Sequence, residues 1–170
     1  MIKKYIDKLF GRRAPPTHKD AKPVIYGPDK HGIDPTAISK CARRTCEDLQ
    51  RAGYAAFVVG GAVRDLLLGY RPKDFDVATS ATPEEVRGVF RRSRIIGRRF
   101  QIVHVLCGQD MVETSTFRAH FTREVDEENR DEHGRVLSDN VFGTQTEDAL
   151  RRDFTVNALF YDPEIGRAHV

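Results

Sequence analysis

The chain has 170 residues, 39% hydrophobic and 31% charged, which suits one domain with a modest core and excludes a fully disordered polymer. Lys and Arg number 28 against 25 Asp and Glu; a formal charge of +3 is too small to establish nucleic-acid binding, so clustering matters more than the total. The longest uncharged apolar stretch, 55–63, is far short of the roughly 20 residues that span a bilayer, which argues against a membrane protein. The basic start, MIKKYIDKLFGRR, lacks the apolar segment and cleavage site of a secretory signal. Three cysteines, Cys41, Cys46 and Cys107, match no Cys-x-x-Cys pattern and read as reduced thiols in a cytoplasmic protein.

Residues 1–33 carry eight Lys or Arg and few periodic apolar side chains, and read as a basic, mostly disordered arm with a short helix at its start. Order is expected from Asp34-Pro35, an N-cap followed by proline, with Ile38, Cys41, Ala42, Cys46 and Leu49 at helical spacing up to Gly53. Residues 54–59 read as a buried strand, Ala62–Leu68 as a helix after Gly60-Gly61, and Phe75–Ala78 as the next strand. Thr82-Pro-Glu-Glu85 has capping-box spacing and starts a helix to about Phe90. Gln101–Cys107 and Met111–Phe117 predict an antiparallel pair across a Gly-Gln-Asp turn. Between 119 and 142 periodicity disappears, and Glu124, Asp126, Glu127, Glu128, Asp131 and Glu132 make an acidic loop, solvated by default and a gate in its sharper reading. Thr146–Leu150 and Thr155–Phe160 look helical.

Four local patterns carry chemistry. Asp74-Phe-Asp76 at a strand places two carboxylates on one face, about 7 Å apart along the backbone, an arrangement that favours a hard cation such as Mg²⁺. Gly60-Gly61 at a strand-to-helix junction permits close approach of backbone N–H groups to a phosphate, with Arg64 one turn on. Glu113 stands on the strand face opposite Val112 and Thr114, where a third carboxylate would complete a two-metal site. Arg151 and Arg152 suit phosphate, and Asp153 and Asn157, at i and i+4 of a helix, suit a ribose hydroxyl. Each pattern alone also fits something ordinary: an acidic strand end, a glycine turn, an edge glutamate, a charged helix. Together they point to a nucleotide with Mg²⁺.

The joined string GGAVRDLLLGYRPKDFDVAT, with VETSTFR and RRDFTVNAL, resembles the catalytic head of the class II polymerase β-type nucleotidyltransferases, the bacterial poly(A) polymerases and tRNA CCA-adding enzymes, over about 34–162. IIGRRFQIVHV and the stretch from DEHGRV to ALFYD are similar to the poly(A) polymerase versions. The resemblance implies an α/β head with a small mixed sheet and helices packed on one side. It implies Asp74 and Asp76 as ligands of catalytic Mg²⁺, with Glu113 as the third acidic residue. Gly60, Gly61 and Arg64 would contact the triphosphate, and Arg151, Arg152, Asp153 and Asn157 the phosphate and ribose of the nucleotide. The implied reaction is template-independent transfer of AMP from ATP to an RNA 3′-hydroxyl with release of pyrophosphate. CCA addition to tRNA, nucleotidyl transfer to a small acceptor, and an inactive nucleotide-binding fragment are the alternatives. The family continues into neck and body domains, whereas Glu164–Val170 departs from it and corresponds to a translated sequencing adapter. The expected division is therefore an arm at 1–33, an incomplete head at 34–163 and a non-native tail at 164–170, within a longer natural chain. Arg87, Arg91, Arg92, Arg94, Arg98 and Arg99 form a basic stretch suited to RNA phosphates.

Overall fold

The computed structural model describes residues 23–98, 100–119 and 141–170. The N-terminal 22 residues and the acidic 120–140 loop, including its reading as a gate, lie outside the described residues. The elements are β1 (Ile25–Tyr26), α1 (Pro28–His31), α2 (Lys40–Arg51), β2 (Ala56–Val59), α3 (Gly61–Leu67), β3 (Asp76–Thr79), α4 (Pro83–Val89), β4 (Ser93–Ile96), β5 (Ile102–Cys107), β6 (Asp110–Thr116), α5 (Gln145–Leu150), β7 (Phe160–Asp162) and β8 (Arg167–His169). The strands form one sheet in the order β1-β8-β7-β2-β3-β6-β5-β4. Every neighbouring pair is antiparallel except β3 and β6, so the sheet is mixed, as expected.

Strand alternation splits the core into two layers. Ala56, Val58, Val77, Val103, Val105 and Val112 face α2, α3 and α4, which deliver Cys41, Cys46, Leu49, Val63, Leu66 and Val86 to the same cluster. The opposite face carries Phe57, Val59, Ala78, Phe117 and Phe160, with Ala149 of α5 packed against them. Phe57 meets Phe160 edge to face at a centroid distance of 6.0 Å, within the range in which such pairs attract. Three helices thus back the sheet on one side, as the sequence implied, and the short α5 joins the other.

Local chemistry explains several boundaries. The helix expected from Asp34 is split: Asp34 caps a 3₁₀ turn at Pro35–Ala37, and Ser39 then accepts from the Ala42 N–H at 3.0 Å to start α2. The capping box at Thr82 and Glu85 forms, with the Thr82 N–H donating to Glu85 Oε2 at 2.7 Å. Thr155–Phe160, read as helical, is instead a 3₁₀ turn at Thr155–Asn157 followed by β7, because Phe160 and Tyr161 bury opposite faces in the two core layers. The arginine-rich stretch contains β4, in which Ile95 packs on the core between outward-facing neighbours.

Two further expectations need correction. Residues 23–33, placed in a disordered arm, are ordered: β1 pairs with β8, and the His31 ring bonds the Gly166 carbonyl at 3.0 Å. Cys41 and Cys107, expected as free thiols, are joined in a disulfide across 5.6 Å between Cα atoms, because α2 packs its first turn against the end of β5. Cys46 remains a thiol; burial, with Asp162 and Glu47 nearby, pushes its pKa up and makes it a core residue. Residues 164–170, set apart as a tail, turn back so that Asp162 pairs with Arg167 and Phe160 with His169. That pairing runs through the main chain, which almost any sequence supplies, so it is independent of the segment's origin. No described helix is long and apolar enough to cross a membrane.

Leu49, fully buried, should cost about 2–5 kcal/mol when replaced by alanine. Leu68→Ala, at a residue 63% exposed, should stay within about 0.5 kcal/mol. Urea titration of the two variants checks the pair.

Candidate active site

The parallel pairing of β3 with β6 sets Asp76 directly opposite Glu113. Both lie on the sheet face away from α2, since Val77 and Val112 beside them enter the helical core layer. Asp74 precedes β3, and the three carboxylates line one open cleft of about 540 Å³ together with Lys73 and Ser39. The Asp76 carboxyl is held above its ordinary value, first by loss of solvent, then by the like charges of Glu113 and Asp74, while Arg152 pulls the other way. His104, opposite Glu113 on β5, puts Nε2 3.7 Å from Glu113 Oε1.

A second group forms at the start of α3. Gly60 has φ +73, a conformation that side-chain-bearing residues rarely adopt. A Cβ there would stand 3.5 Å from Arg152 Nη1 and 3.9 Å from the Asn157 carbonyl. Gly61 likewise lies under Arg64, whose Nη2 would be 3.4 Å from an added Cβ. Arg64 donates to Asn157 Oδ1 at 3.0 Å and to Asp65 Oδ1 at 2.9 Å. Arg152 donates to the Asn157 carbonyl at 3.1 Å and stacks over the Phe160 ring at 5.2 Å. Gly60, Gly61, Arg64, Arg152 and Asn157 are therefore gathered, and the influence of Arg152 on Asp76 couples them to the carboxylates.

Two expected residues stand apart. The helical face expected for Asp153 and Asn157 does not exist, because α5 ends at Leu150; Asp153 is exposed and accepts from the Phe154 N–H at 2.9 Å. Arg151 turns to Asp148 rather than toward Arg64 and Asn157. Asp148 received no role from the sequence, yet it is 1% exposed and central. One oxygen accepts from Arg151 and from the Arg118 N–H, and the other from Arg152 at 2.9 Å. Its i+3 and i+4 spacing to the two arginines was a readable signal. His104 was also missed, since its position opposite Glu113 depends on strand register.

Among the described residues no three His, Cys, Asp or Glu side chains already converge as a metal centre. The donor set nonetheless suits a hard divalent cation: Asp76 and Glu113 stand opposite each other on paired strands, Asp74 lines the same cleft, and the repulsion seen at Asp76 is what a cation would relieve.

A family model described as "Poly A polymerase head domain" matches residues 56–169. Poly(A) polymerase I of Haemophilus influenzae is 44% identical over 160 residues, 92% of this chain and 35% of that protein. Poly(A) polymerase I of Escherichia coli O6:H1 is 49% identical over 136 residues, 78% of this chain and 29% of that protein. Among solved structures, the Bacillus stearothermophilus CCA-adding enzyme in complex with CTP aligns with a TM-score of 0.58 at 33% identity, over 75% of this chain and 28% of that one. The chain thus spans about a third of the length of the curated relatives it matches.

Asp148→Ala strands two half-buried guanidinium groups and should cost about 3 kcal/mol, low for a broken buried pair because both keep some solvent. Asp153→Ala should leave thermal stability unchanged, and calorimetry separates the two. The native state binds the Asp76 proton more tightly than the unfolded chain, so ionising it opposes folding. That penalty is absent below the ordinary value of 3.8 and grows as pH rises through it toward the native value. Asp76→Asn should therefore melt higher than the parent at neutral pH, with the difference vanishing in acid.

Proposed function

The chain belongs to the Poly A polymerase head domain family, and on that premise we propose that it is the catalytic head of a polymerase that adds AMP from ATP to RNA 3′ ends. The observation that carries this reading is the register of Asp76 against Glu113 beside the Arg152–Asn157–Arg64 cluster. It supplies a polyanion site next to paired carboxylates, which is what nucleotidyl transfer requires. The higher identity to poly(A) polymerases than to the CCA-adding structure favours adenylation over CCA addition.

In this reading Arg64 and Arg152 hold the triphosphate above Gly60 and Gly61, where the missing Cβ atoms allow close approach. Asn157 orients the ribose from the Thr155–Asn157 turn, whose last carbonyl accepts from Arg152, and Arg151 and Asp153 would reach the nucleotide only by leaving the partners they hold here. Asp148 keeps Arg152 extended over Phe160, so the guanidinium is positioned before ATP arrives. The RNA 3′-hydroxyl attacks the α-phosphate in line: a bond forms from O3′ to the α-phosphorus, the α–β bridging bond breaks, and pyrophosphate leaves with its electron pair. The hydroxyl proton passes to solvent. Mg²⁺ bound by Asp74 and Asp76, with Glu113 as third carboxylate, would neutralise phosphate charge and acidify the attacking hydroxyl. We place the reaction in the cytoplasm, where ATP and RNA meet.

Incubation with labelled ATP, Mg²⁺ and a single-stranded RNA should extend the RNA by adenylate. Asp76→Ala should abolish extension, by at least ~10³-fold given the loss of transition-state charge stabilisation, with the far-ultraviolet circular dichroism preserved. Equal incorporation of CTP would favour the CCA-adding reading.

A further inference from the structure

A second open cleft, of about 690 Å³, lies beside the carboxylate cleft; Cys41 and Asp110 line both. Its rim carries Lys40 and Arg44 from α2, and Arg91 and Arg92 from the turn between α4 and β4. Arg44 is committed to Asp48, at 3.4 Å, and Asp48 also binds Arg51 at 2.6 Å. Among the described residues no carboxylate pairs with Lys40, Arg91 or Arg92, and all three are exposed. Cations left unpaired around one concavity create a positive potential focused on it.

The floor differs from a simple phosphate site. Phe90 and Leu106, both half-buried, line it with Val89 and Val105. Thr45 also lines it, and its buried hydroxyl has no hydrogen-bond partner among the described residues. An apolar floor under a cationic rim fits a nucleotide unit: base against Phe90, phosphates on the rim. An inorganic anion would need no such floor.

Resting on the adenylyl-transfer reading, we infer that this cleft is the track for the RNA strand just upstream of its reacting 3′ end, with Lys40, Arg91 and Arg92 on successive phosphates. The basic stretch seen in sequence is thereby divided. Arg91 and Arg92 line the track, whereas Arg94 lies on β4 opposite His104 and outside that lining. Cys41 and Asp110 form the wall common to this track and the carboxylate cleft, so a strand crossing there would bring its 3′ end to Asp74, Asp76 and Glu113.

The test uses the intact chain and a fluorescent single-stranded oligoadenylate, with anisotropy read across a salt series. Lys40→Ala/Arg91→Ala/Arg92→Ala is compared with Lys30→Ala/Arg43→Ala/Arg51→Ala, which removes the same charge elsewhere. Loss of three single-strand phosphate contacts should flatten the slope of log affinity against log salt by about 2 in the first variant, and leave it unchanged in the second. Equal slopes for the two variants, or a parent whose RNA affinity ignores salt, would overturn the inference. If the triple variant misfolds by circular dichroism, Arg91→Ala and Arg92→Ala are measured singly, each expected to flatten the slope by about 0.7. Extension with ATP is scored separately. A selective slope change without adenylation by the parent upholds the RNA track and sinks the transfer reaction.

Discussion

The carboxylate edge of the candidate site depends on one backbone interaction, the parallel pairing of β3 with β6. A parallel pair cannot be closed by a tight turn; it needs a long crossover, here supplied by α4, β4 and β5. Because side chains alternate along a strand, a slip of one residue in that pairing would turn Glu113 into the helical core and Thr114 outward. The valines that flank the acidic residues make the slip expensive, since Val77 and Val112 are fully buried on the other face. The hydrophobic layer under α2 therefore does more than stabilise the domain. It holds the Asp76–Glu113 register against the repulsion of two adjacent carboxylates, whose cost shows in the raised proton affinity of Asp76.

The opposite charge is organised by a different device. Arg151 and Arg152 leave the end of α5 side by side, and Asp148, buried one turn earlier, takes one on each oxygen. A buried carboxylate with a single partner would be a poor structural element; with two guanidinium groups and the Arg118 amide it is well satisfied. This fixes Arg152 where its second nitrogen reaches the Asn157 carbonyl and its plane covers Phe160. Gly60 sits beneath, its left-handed conformation leaving room that a Cβ would fill. The carboxylate edge and the arginine cluster are built by separate parts of the chain, and meet because β2 lies between β7 and β3.

Among the described residues, the face that carries this chemistry is thinly covered: three helices back the other side of the sheet, while only α5 lies against the aromatic cluster of Phe57, Phe117 and Phe160. Such an asymmetry places a rigid, well-packed layer behind a solvent-facing edge on which polar groups can gather. The two clefts beside the start of α2 share Cys41 and Asp110 in their walls. The first turn of α2 is tied to the end of β5 through Cys41 and Cys107, and that joint forms the saddle between the carboxylates and the cationic rim.

Much of this was readable along the chain because it is local. The apolar spacing of α2, the Thr82 capping box, the β5–β6 hairpin and the identity of the acidic and basic motifs depend on residues a few positions apart. The resemblance carried by the GGAVRD and DFD segments then named the family and the mixed α/β head. What only the tertiary structure decided involves residues far apart in sequence: the opposition of Asp76 to Glu113, the position of His104, the bridge between Cys41 and Cys107, and the ordering of residues 23–33 by β8. The misread helix at 155–160 is of the same kind. Its local spacing allows a helix, but Phe160 and Tyr161 gain more by burying opposite sides of a strand, one among the aromatic residues and one under the helices. Local patterns state what a segment can do, and burial between distant segments selects which of those options the chain adopts.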